Sequence, residues 1–116
     1  LHSFTFEGES GMNKMNEIMN TLRNNPPAEI AGIKVIKFDD YKTSISKDIT
    51  NGTESTINLP KSNVLAFFLE GGSKVIVRPS GTEPKIKLYL TSKKPTHEEA
   101  EELEAKLANT LSKIFE

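Results

Sequence analysis

The residues best suited to chemistry lie in one loop, with the sequence Arg78-Pro79-Ser80-Gly81-Thr82-Glu83-Pro84. Arg78 carries a planar guanidinium that matches two oxygens of a phosphate, and the hydroxyls of Ser80 and Thr82 are further donors. Because Gly81 has no side chain, we expect the backbone to turn there and to aim successive N–H groups at one point. These residue types in this order predict a binding site for an oxyanion.

Two prolines and a lysine favour the same interpretation. Pro79 and Pro84 stiffen the two ends of the loop, which lowers the entropy lost when a ligand binds. Lys85 follows the loop directly and adds a second cation. The same composition also suits a plain polar turn between two strands, so the loop residues taken alone leave both interpretations open.

A nucleophilic role for the loop serine is poorly supported. A serine becomes a nucleophile when an adjacent base takes its proton. Glu83 is the one candidate base near Ser80 in the sequence, while His2 and His97 lie far along the chain. We therefore expect Ser80 to donate a hydrogen bond, and we assign no catalytic residue and no metal ligand in this chain.

The strands that position the loop can be read from the hydrophobic pattern. Residues 64–69 form an unbroken apolar run, typical of a strand buried on both faces or nearly so. Glu70-Gly71-Gly72-Ser73 predicts a tight turn, and residues 74–78 return as the second strand of a hairpin. After the loop, residues 85–90 alternate, so three side chains face the core and three face away. The inward set is Ile86, Leu88 and Leu90, and the outward set is Lys85, Lys87 and Tyr89.

Two helices flank these strands in the sequence. The first follows Ser10 and ends near Asn24, because Pro26 and Pro27 cannot continue it. The last begins after Thr96, whose hydroxyl is suited to cap it. Their apolar stripes recur every three or four residues, which indicates one core-facing side for each helix. The stripes are Met12, Met15, Ile18, Met19 and Leu22 in the first, and Ala100, Leu103, Leu107, Leu111 and Ile114 in the last.

The order of elements predicts an α+β fold. Residues 33–38 and 41–47 are further strand candidates, and the polar stretch 48–62 is expected to be a hairpin tip or surface loop. Mostly hairpin-linked strands between two helices indicate an antiparallel sheet of about four to five strands, with both helices packed on one face.

Length and composition exclude several classes of protein. A chain of 116 residues predicts one domain, residues 1–116, and the absence of cysteine excludes disulfide frameworks and thiolate zinc sites. There is no apolar stretch of membrane-spanning length, so we expect a soluble, cytoplasmic protein without a membrane partner. A formal net charge of −1 argues against capture of nucleic acid, although residues 74–94 are basic and the tail beyond them is acidic.

The loop and the strand after it resemble a known signature. Arg78-Pro79-Ser80-Gly81-Thr82-Glu83-Pro84, continued by Lys85-Ile86-Lys87-Leu88-Tyr89, is similar to the C-terminal signature of the α-D-phosphohexomutase superfamily. That superfamily includes phosphoglucomutases, phosphomannomutases and phosphoglucosamine mutases, and the variant here looks closest to the bacterial phosphoglucomutases. The resemblance extends over the whole chain, beginning with Phe6-Glu7-Gly8.

The resemblance implies a role within a larger enzyme. The expected fold is β-α-β(4)-α, like the TATA-box-binding protein, and the expected domain is the fourth and last of a parent phosphohexomutase. Carried over by position, Arg78, Ser80, Gly81 and Thr82 hold the non-transferring phosphate of a hexose phosphate, with Lys85 as an extra contact. Many relatives have arginine at the position of Lys87, so this lysine is expected to add positive field.

The same resemblance also implies what this domain lacks. The family's phosphoserine, its Mg²⁺ and its sugar-reading loop are expected in other domains of the parent chain, which would be further partners. We therefore expect no cofactor in this domain and no catalysis by the domain alone. We expect the domain to be a mobile lid that closes over the hexose phosphate. The parent enzyme is expected to move a phosphoryl group between two oxygens of one sugar.

Two other functions are compatible with parts of the sequence. The basic segment 74–94 could serve a non-enzymatic module that binds the nucleic-acid backbone, but aromatic residues other than Tyr89 are not interleaved with its cations. A structural docking module is the second alternative. Salt-sensitive DNA binding would favour the first, and a loop that ignores phosphate would favour the second.

Overall fold

Two helices and eight strands make up the computed structural model, which describes residues 2–6, 8 and 10–115. Glu7 of the predicted segment before the first helix lies outside the described residues, as do Leu1, Glu9 and Glu116. The elements are β1 His2–Thr5, α1 Gly11–Asn24, β2 Glu29–Ile30, β3 Ile33–Asp40, β4 Ile45–Asp48, β5 Glu54–Thr56, β6 Leu65–Leu69, β7 Lys74–Pro79, β8 Lys85–Thr91 and α2 His97–Ile114.

The strands form one antiparallel sheet. Their order across the sheet is β1-β8-β7-β6-β3-β4-β5, and the short β2 pairs with β3 outside this path. The α+β class and the antiparallel sheet are confirmed, but the sheet has eight strands where the sequence predicted four to five. The additional strands are short, and they lie at the edges of the sheet or beside β3.

The residue patterns alone missed three strands, β1, β2 and β5, because their residues carry weak signals, although the family resemblance implied a strand before the first helix. β1 has four residues, of which Phe4 alone packs against the core. β5 is three polar, exposed residues inside the stretch predicted to be a hairpin tip or surface loop. It forms because β4 offers an unpaired edge, with Ile45 opposite Thr56 and Lys47 opposite Glu54.

Both helices pack on the same face of the sheet. Met15 and Met19 of α1 and Leu107 and Leu111 of α2 are almost fully buried against it. The core-facing side chains of the strands belong to the same apolar cluster, namely Val35, Phe38, Leu65, Phe67, Leu69, Val75, Val77, Ile86 and Leu88. The predicted inward set of β8 is therefore confirmed, and so are the central residues of the predicted helix stripes, but Met12 and Ile114 at the stripe ends are exposed.

The helices begin and end where their terminal residues predict. Thr96 caps α2, since its Oγ1 accepts a hydrogen bond from the Glu99 N–H at 3.2 Å. α1 ends at Asn24, ahead of Pro26. Neither described helix combines the length and the apolar character needed to cross a membrane.

Neither described helix packs on the opposite face of the sheet, which we call the open face. Strand alternation and register place Lys85, Lys87 and Tyr89 of β8 on this face, next to Arg78 and Ile76 of β7. The open face is therefore where the loop of interest and its neighbouring cations are displayed.

Candidate functional site

A surface cavity of about 320 Å³ lies where the loop meets the open face. Two elements build it, because β7 ends at the start of the loop and β8 begins at its end. The residues that line it are Arg78, Pro79, Ser80, Gly81, Lys87 and Tyr89. We call this space the loop cavity. Its lining is rich in donors and cations and contains no carboxylate, which suits an anionic ligand.

Two cations that line the loop cavity occupy paired positions on neighbouring strands. The register of β7 and β8 places Arg78 directly opposite Lys87. Like charges at directly opposed positions destabilise a sheet. Neither side chain forms an ion pair in the part of the chain that the structure describes. An anion bound between them would relieve this repulsion.

Hydrogen bonds within the loop fix the position of Ser80. Its N–H donates to the carbonyl of Lys85 at 2.8 Å, and its Oγ accepts from the N–H groups of Thr82 at 3.4 Å and Glu83 at 3.2 Å. The Lys85 N–H donates in turn to the carbonyl of Glu83 at 2.8 Å. The Ser80 hydroxyl thus acts as an acceptor toward the loop, and its own proton remains available as a donor.

These bonds correct one expectation about the backbone. The sequence predicted that successive N–H groups would converge on the ligand, but those of Thr82 and Glu83 converge on Ser80 Oγ. The serine hydroxyl therefore accepts the hydrogen bonds of these two amides within the loop. The N–H of Gly81 donates to no backbone acceptor among the described residues, so it is the amide that this loop offers to a ligand.

The fold does not require a glycine at position 81. Its φ lies outside the left-handed region, and a Cβ built on it would have no neighbouring atom within 4 Å. An alanine could therefore be accommodated without strain. The absence of a side chain at this position leaves room beside the cavity rather than serving the turn.

The predicted site residues divide into two groups in the structure. Arg78, Ser80 and Gly81 line the loop cavity. Thr82 is exposed at the tip of the loop, and Lys85 is half-buried opposite Thr5 of β1, so neither of these two lines the cavity. Three of the five site residues predicted from the sequence therefore lie together at the loop cavity.

Besides Pro79 of the loop, two residues of β8 complete the lining. Lys87 was predicted to add positive field only, and Tyr89 was not predicted to take part. The signal that could have found them is the alternation of β8, which places both on the same face as Lys85. The missing information was the register, because pairing Arg78 with Lys87 brings this part of β8 to the cavity.

The far end of the loop is fastened to the chain that leads into α1. The Phe6 N–H donates to the Pro84 carbonyl at 2.8 Å. A Cβ on Gly11 would lie 2.3 Å from the Phe6 carbonyl oxygen and 3.0 Å from Pro84 Cβ, so only glycine fits between them. The start of α1 therefore supports the loop from behind.

A second patch of positive charge lies farther along the open face. The Nζ of Lys37 is 4.7 Å, and that of Lys74 5.9 Å, from the centroid of the Phe68 ring, which places both within cation–π range. The carboxylate of Asp39 lies 4.0 Å from Lys37 and partly offsets this charge. These lysines already have partners, whereas the cations at the loop cavity have none among the described residues.

A larger cavity elsewhere in the molecule is less suited to an anion. A space of about 500 Å³ lies beside α1 and is lined by Ser10, Asn13, Lys14, Glu17, Ile18, Thr21 and Ile114. It contains one cation and one carboxylate, so its charge is balanced. Within the described residues, no group of three or more His, Asp or Glu side chains is arranged to hold a metal ion.

The chain is similar to one protein family over most of its length. Residues 15–110 match the family model described as phosphoglucomutase/phosphomannomutase, C-terminal domain. The phosphoglucomutase of Staphylococcus aureus (strain bovine RF122 / ET3-1) is 48% identical over 99 residues, which are 85% of this chain and 18% of that protein. The phosphoglucomutase of Staphylococcus epidermidis (strain ATCC 35984) is 45% identical over 91 residues, 78% of this chain and 16% of that protein.

No solved structure matches the chain. The chain spans less than a fifth of the length of the two relatives that it matches.

Proposed function

Because the chain belongs to the family of phosphoglucomutase/phosphomannomutase C-terminal domains, we propose that it binds the phosphate of a hexose phosphate within a longer enzyme. That enzyme would be a phosphoglucomutase or phosphomannomutase, an isomerase that moves a phosphoryl group between two oxygens of one sugar. The observation that carries the proposal is the loop cavity, where Arg78 and Lys87 occupy paired positions without an acidic partner in the described chain.

Different donors of the loop cavity contact different oxygens of the phosphate. The Arg78 guanidinium supplies two parallel N–H bonds to two oxygens, while the Ser80 hydroxyl and the Gly81 N–H are suited to a third. Lys87 supplies a compact charge from the neighbouring strand. In this proposal Thr82 and Lys85 stay at the rim, where Thr82 offers a hydroxyl from the exposed tip and Lys85 adds positive potential.

The magnitude of binding indicates that the domain acts together with other parts of a larger protein. Three or four hydrogen bonds to a charged group, at about 1.5–3 kcal/mol each, give a gross gain of roughly 5–10 kcal/mol. Association and ordering cost at least about 4 kcal/mol of that gain. At the middle of the gross range, at most about 3.5 kcal/mol remains, which corresponds to a Kd of about 3 mM or weaker.

Tethering would change this balance. If a sugar is already held by the rest of a parent chain, the contacts of the loop cavity become intramolecular and gain a large effective concentration. We propose that the domain closes as a lid, holds the non-transferring phosphate, excludes water, and then opens so that the sugar can reorient. Chemistry then belongs to the other domains, and we propose that the phosphoserine and Mg²⁺ that the family resemblance implies reside there.

We propose no nucleic-acid partner. The open face carries Asp39 and Asp48 as well as its cations, and the formal net charge of the chain is −1. Nucleic-acid binding of appreciable strength needs several unopposed cations along the backbone path.

Amide NMR spectra of the chain, recorded while glucose 1-phosphate is added, test the proposal. We expect the amides of residues 78–81 to shift with a Kd in the millimolar range. The Arg78→Ala variant should bind at least about tenfold more weakly, since it loses a charged bidentate contact. Lys61→Ala removes one positive charge at an exposed loop position away from the cavity, and it is the matched control. Equal affinity in wild type and Arg78→Ala would refute the proposed site.

A further inference from the structure

The loop cavity extends beyond its cations to the ring of Tyr89, at the end away from the loop. We infer that Tyr89 contacts the sugar ring of the bound hexose phosphate and makes the site prefer a phosphate ester to inorganic phosphate. This inference rests on the proposed function and adds a substrate-contacting residue to it.

Strand geometry places Tyr89 at a distance from the proposed phosphate position that one sugar ring can span. Lys87 and Tyr89 lie on the same face of β8, two residues and therefore about 6.6–6.8 Å apart along the strand. A phosphate between Arg78 and Lys87 thus leaves one such step between itself and the phenol ring. If the sugar of a phosphate ester points away from the loop, the sugar carbons nearest the phosphate span the distance from the phosphate to the Tyr89 ring.

The neighbours of Tyr89 are apolar, unlike those of Lys87. Directly opposite Tyr89 on β7 is Ile76, which is half-buried on the open face. Opposite Ile76 on β6 is Ala66, whose small side chain is buried. The row across the open face therefore changes from charged to apolar within one step along the strands. Such a row suits the C–H face of a pyranose.

The size of this apolar row indicates a single ring. One further step along the strands, Lys74 of β7 lies opposite Thr91 of β8, so a charged and a polar side chain return on these two strands, while Phe68 lies opposite Lys74 on β6. The apolar part is thus bordered by cations on both sides. One sugar fits between these borders, whereas an extended chain of sugars would meet the lysine.

Exposure of Tyr89 agrees with a contact role. The residue is 38% exposed and lies directly opposite Ile76 on the open face. Aromatic side chains provide large contact area at low conformational cost, and their faces suit ligands with apolar C–H groups. A structural role alone would not require an aromatic residue at a position left this open.

Two probes, glucose 1-phosphate and inorganic phosphate, separate the sugar contact from the phosphate contact. In amide NMR titrations of the chain, we expect wild type to bind glucose 1-phosphate more tightly than inorganic phosphate. Tyr89→Ala should weaken the binding of glucose 1-phosphate about five- to tenfold. This factor corresponds to about 40–50 Å² of apolar surface that the variant no longer buries. Its affinity for inorganic phosphate should stay within about twofold of wild type.

Two control variants test the role of the ring. Tyr89→Phe keeps the ring and should retain glucose 1-phosphate affinity within about twofold. Leu59→Ala removes another exposed apolar side chain, remote from the cavity, and should change neither affinity. The inference is overturned by unchanged glucose 1-phosphate binding in Tyr89→Ala, by equal weakening of both probes, or by a loss in Tyr89→Phe as large as in Tyr89→Ala. If neither probe moves the amides of residues 78–81 in wild type, the proposed function fails as well, which is a different result from all of these.

Discussion

Replacing Gly81 with alanine should separate ligand binding from folding. The glycine lines the loop cavity, its φ lies outside the left-handed region, and an added Cβ would have no neighbour within 4 Å. A glycine that can become alanine without strain usually gains about 0.4–1 kcal/mol of stability, because the unfolded chain loses freedom. We therefore expect Gly81→Ala to be slightly more stable than wild type.

The effect on binding should have the opposite sign. The Gly81 N–H is the loop amide without a backbone acceptor in the described chain, and a methyl group beside it would keep a phosphate oxygen at a distance. Losing one hydrogen bond to a charged group costs about 1.5–3 kcal/mol, or roughly a tenfold to hundredfold weaker Kd. This loss should appear for inorganic phosphate and glucose 1-phosphate alike.

Two measurements on the same variant test this reasoning. Urea denaturation followed by circular dichroism gives the free energy of unfolding, and amide NMR titration gives the Kd for phosphate. We expect the first to rise slightly and the second to increase by at least about tenfold. Unchanged phosphate affinity in a folded Gly81→Ala protein would refute the role given to this amide. A large loss of stability would refute the statement that the fold leaves the position free.

Two predictions concern the stability of the fold. Gly11→Ala should lower the free energy of unfolding by about 1–3 kcal/mol in urea denaturation, because the new Cβ would lie 2.3 Å from the Phe6 carbonyl oxygen; wild-type stability would contradict the close approach. Arg23→Met should cost about 3 kcal/mol, because it leaves the buried Asp40 carboxylate without the guanidinium that lies 3.1 Å away. Lys106→Met, which breaks an exposed pair, is its control and should cost less than about 1 kcal/mol; equal costs for the two would contradict the argument from burial.

The central elements of the fold were predictable because their patterns are strong. The apolar run 64–69 and the alternation of residues 85–90 each match one observed strand. The methionine stripe and the prolines after it fix α1 to within one residue of the prediction. In each case a buried face requires a periodic sequence, so the sequence carries the information.

The edges of the sheet could not be predicted in the same way. β1 and β5 are short, mostly exposed strands; β1 pairs with β8, far along the chain, whereas β5 pairs with the neighbouring β4. Their residues have no periodic apolar pattern, because little of either strand is buried. What holds them is the hydrogen-bonding edge of β8 or β4, a property of the assembled sheet.

The candidate site was predicted in part for a related reason. Residue types in the loop identified Arg78, Ser80 and Gly81, which line the cavity. The contribution of Lys87 and Tyr89 depends on the register between β7 and β8, which the sequence of neither strand specifies. The Ser80 hydroxyl bonds to two loop amides likewise follow from the folded turn, and they decide which N–H remains for a ligand.

The identity of the amides that respond to glucose 1-phosphate tests the central claim most directly. In an assigned amide NMR titration of the chain, we expect the largest shift at Gly81, with further shifts at Arg78 and Lys87. The amides of Thr82 and Glu83 should move less, because they donate to Ser80 Oγ. Shifts centred on α1 or on Lys74, with Gly81 unmoved at saturation, would contradict a phosphate site in the loop cavity.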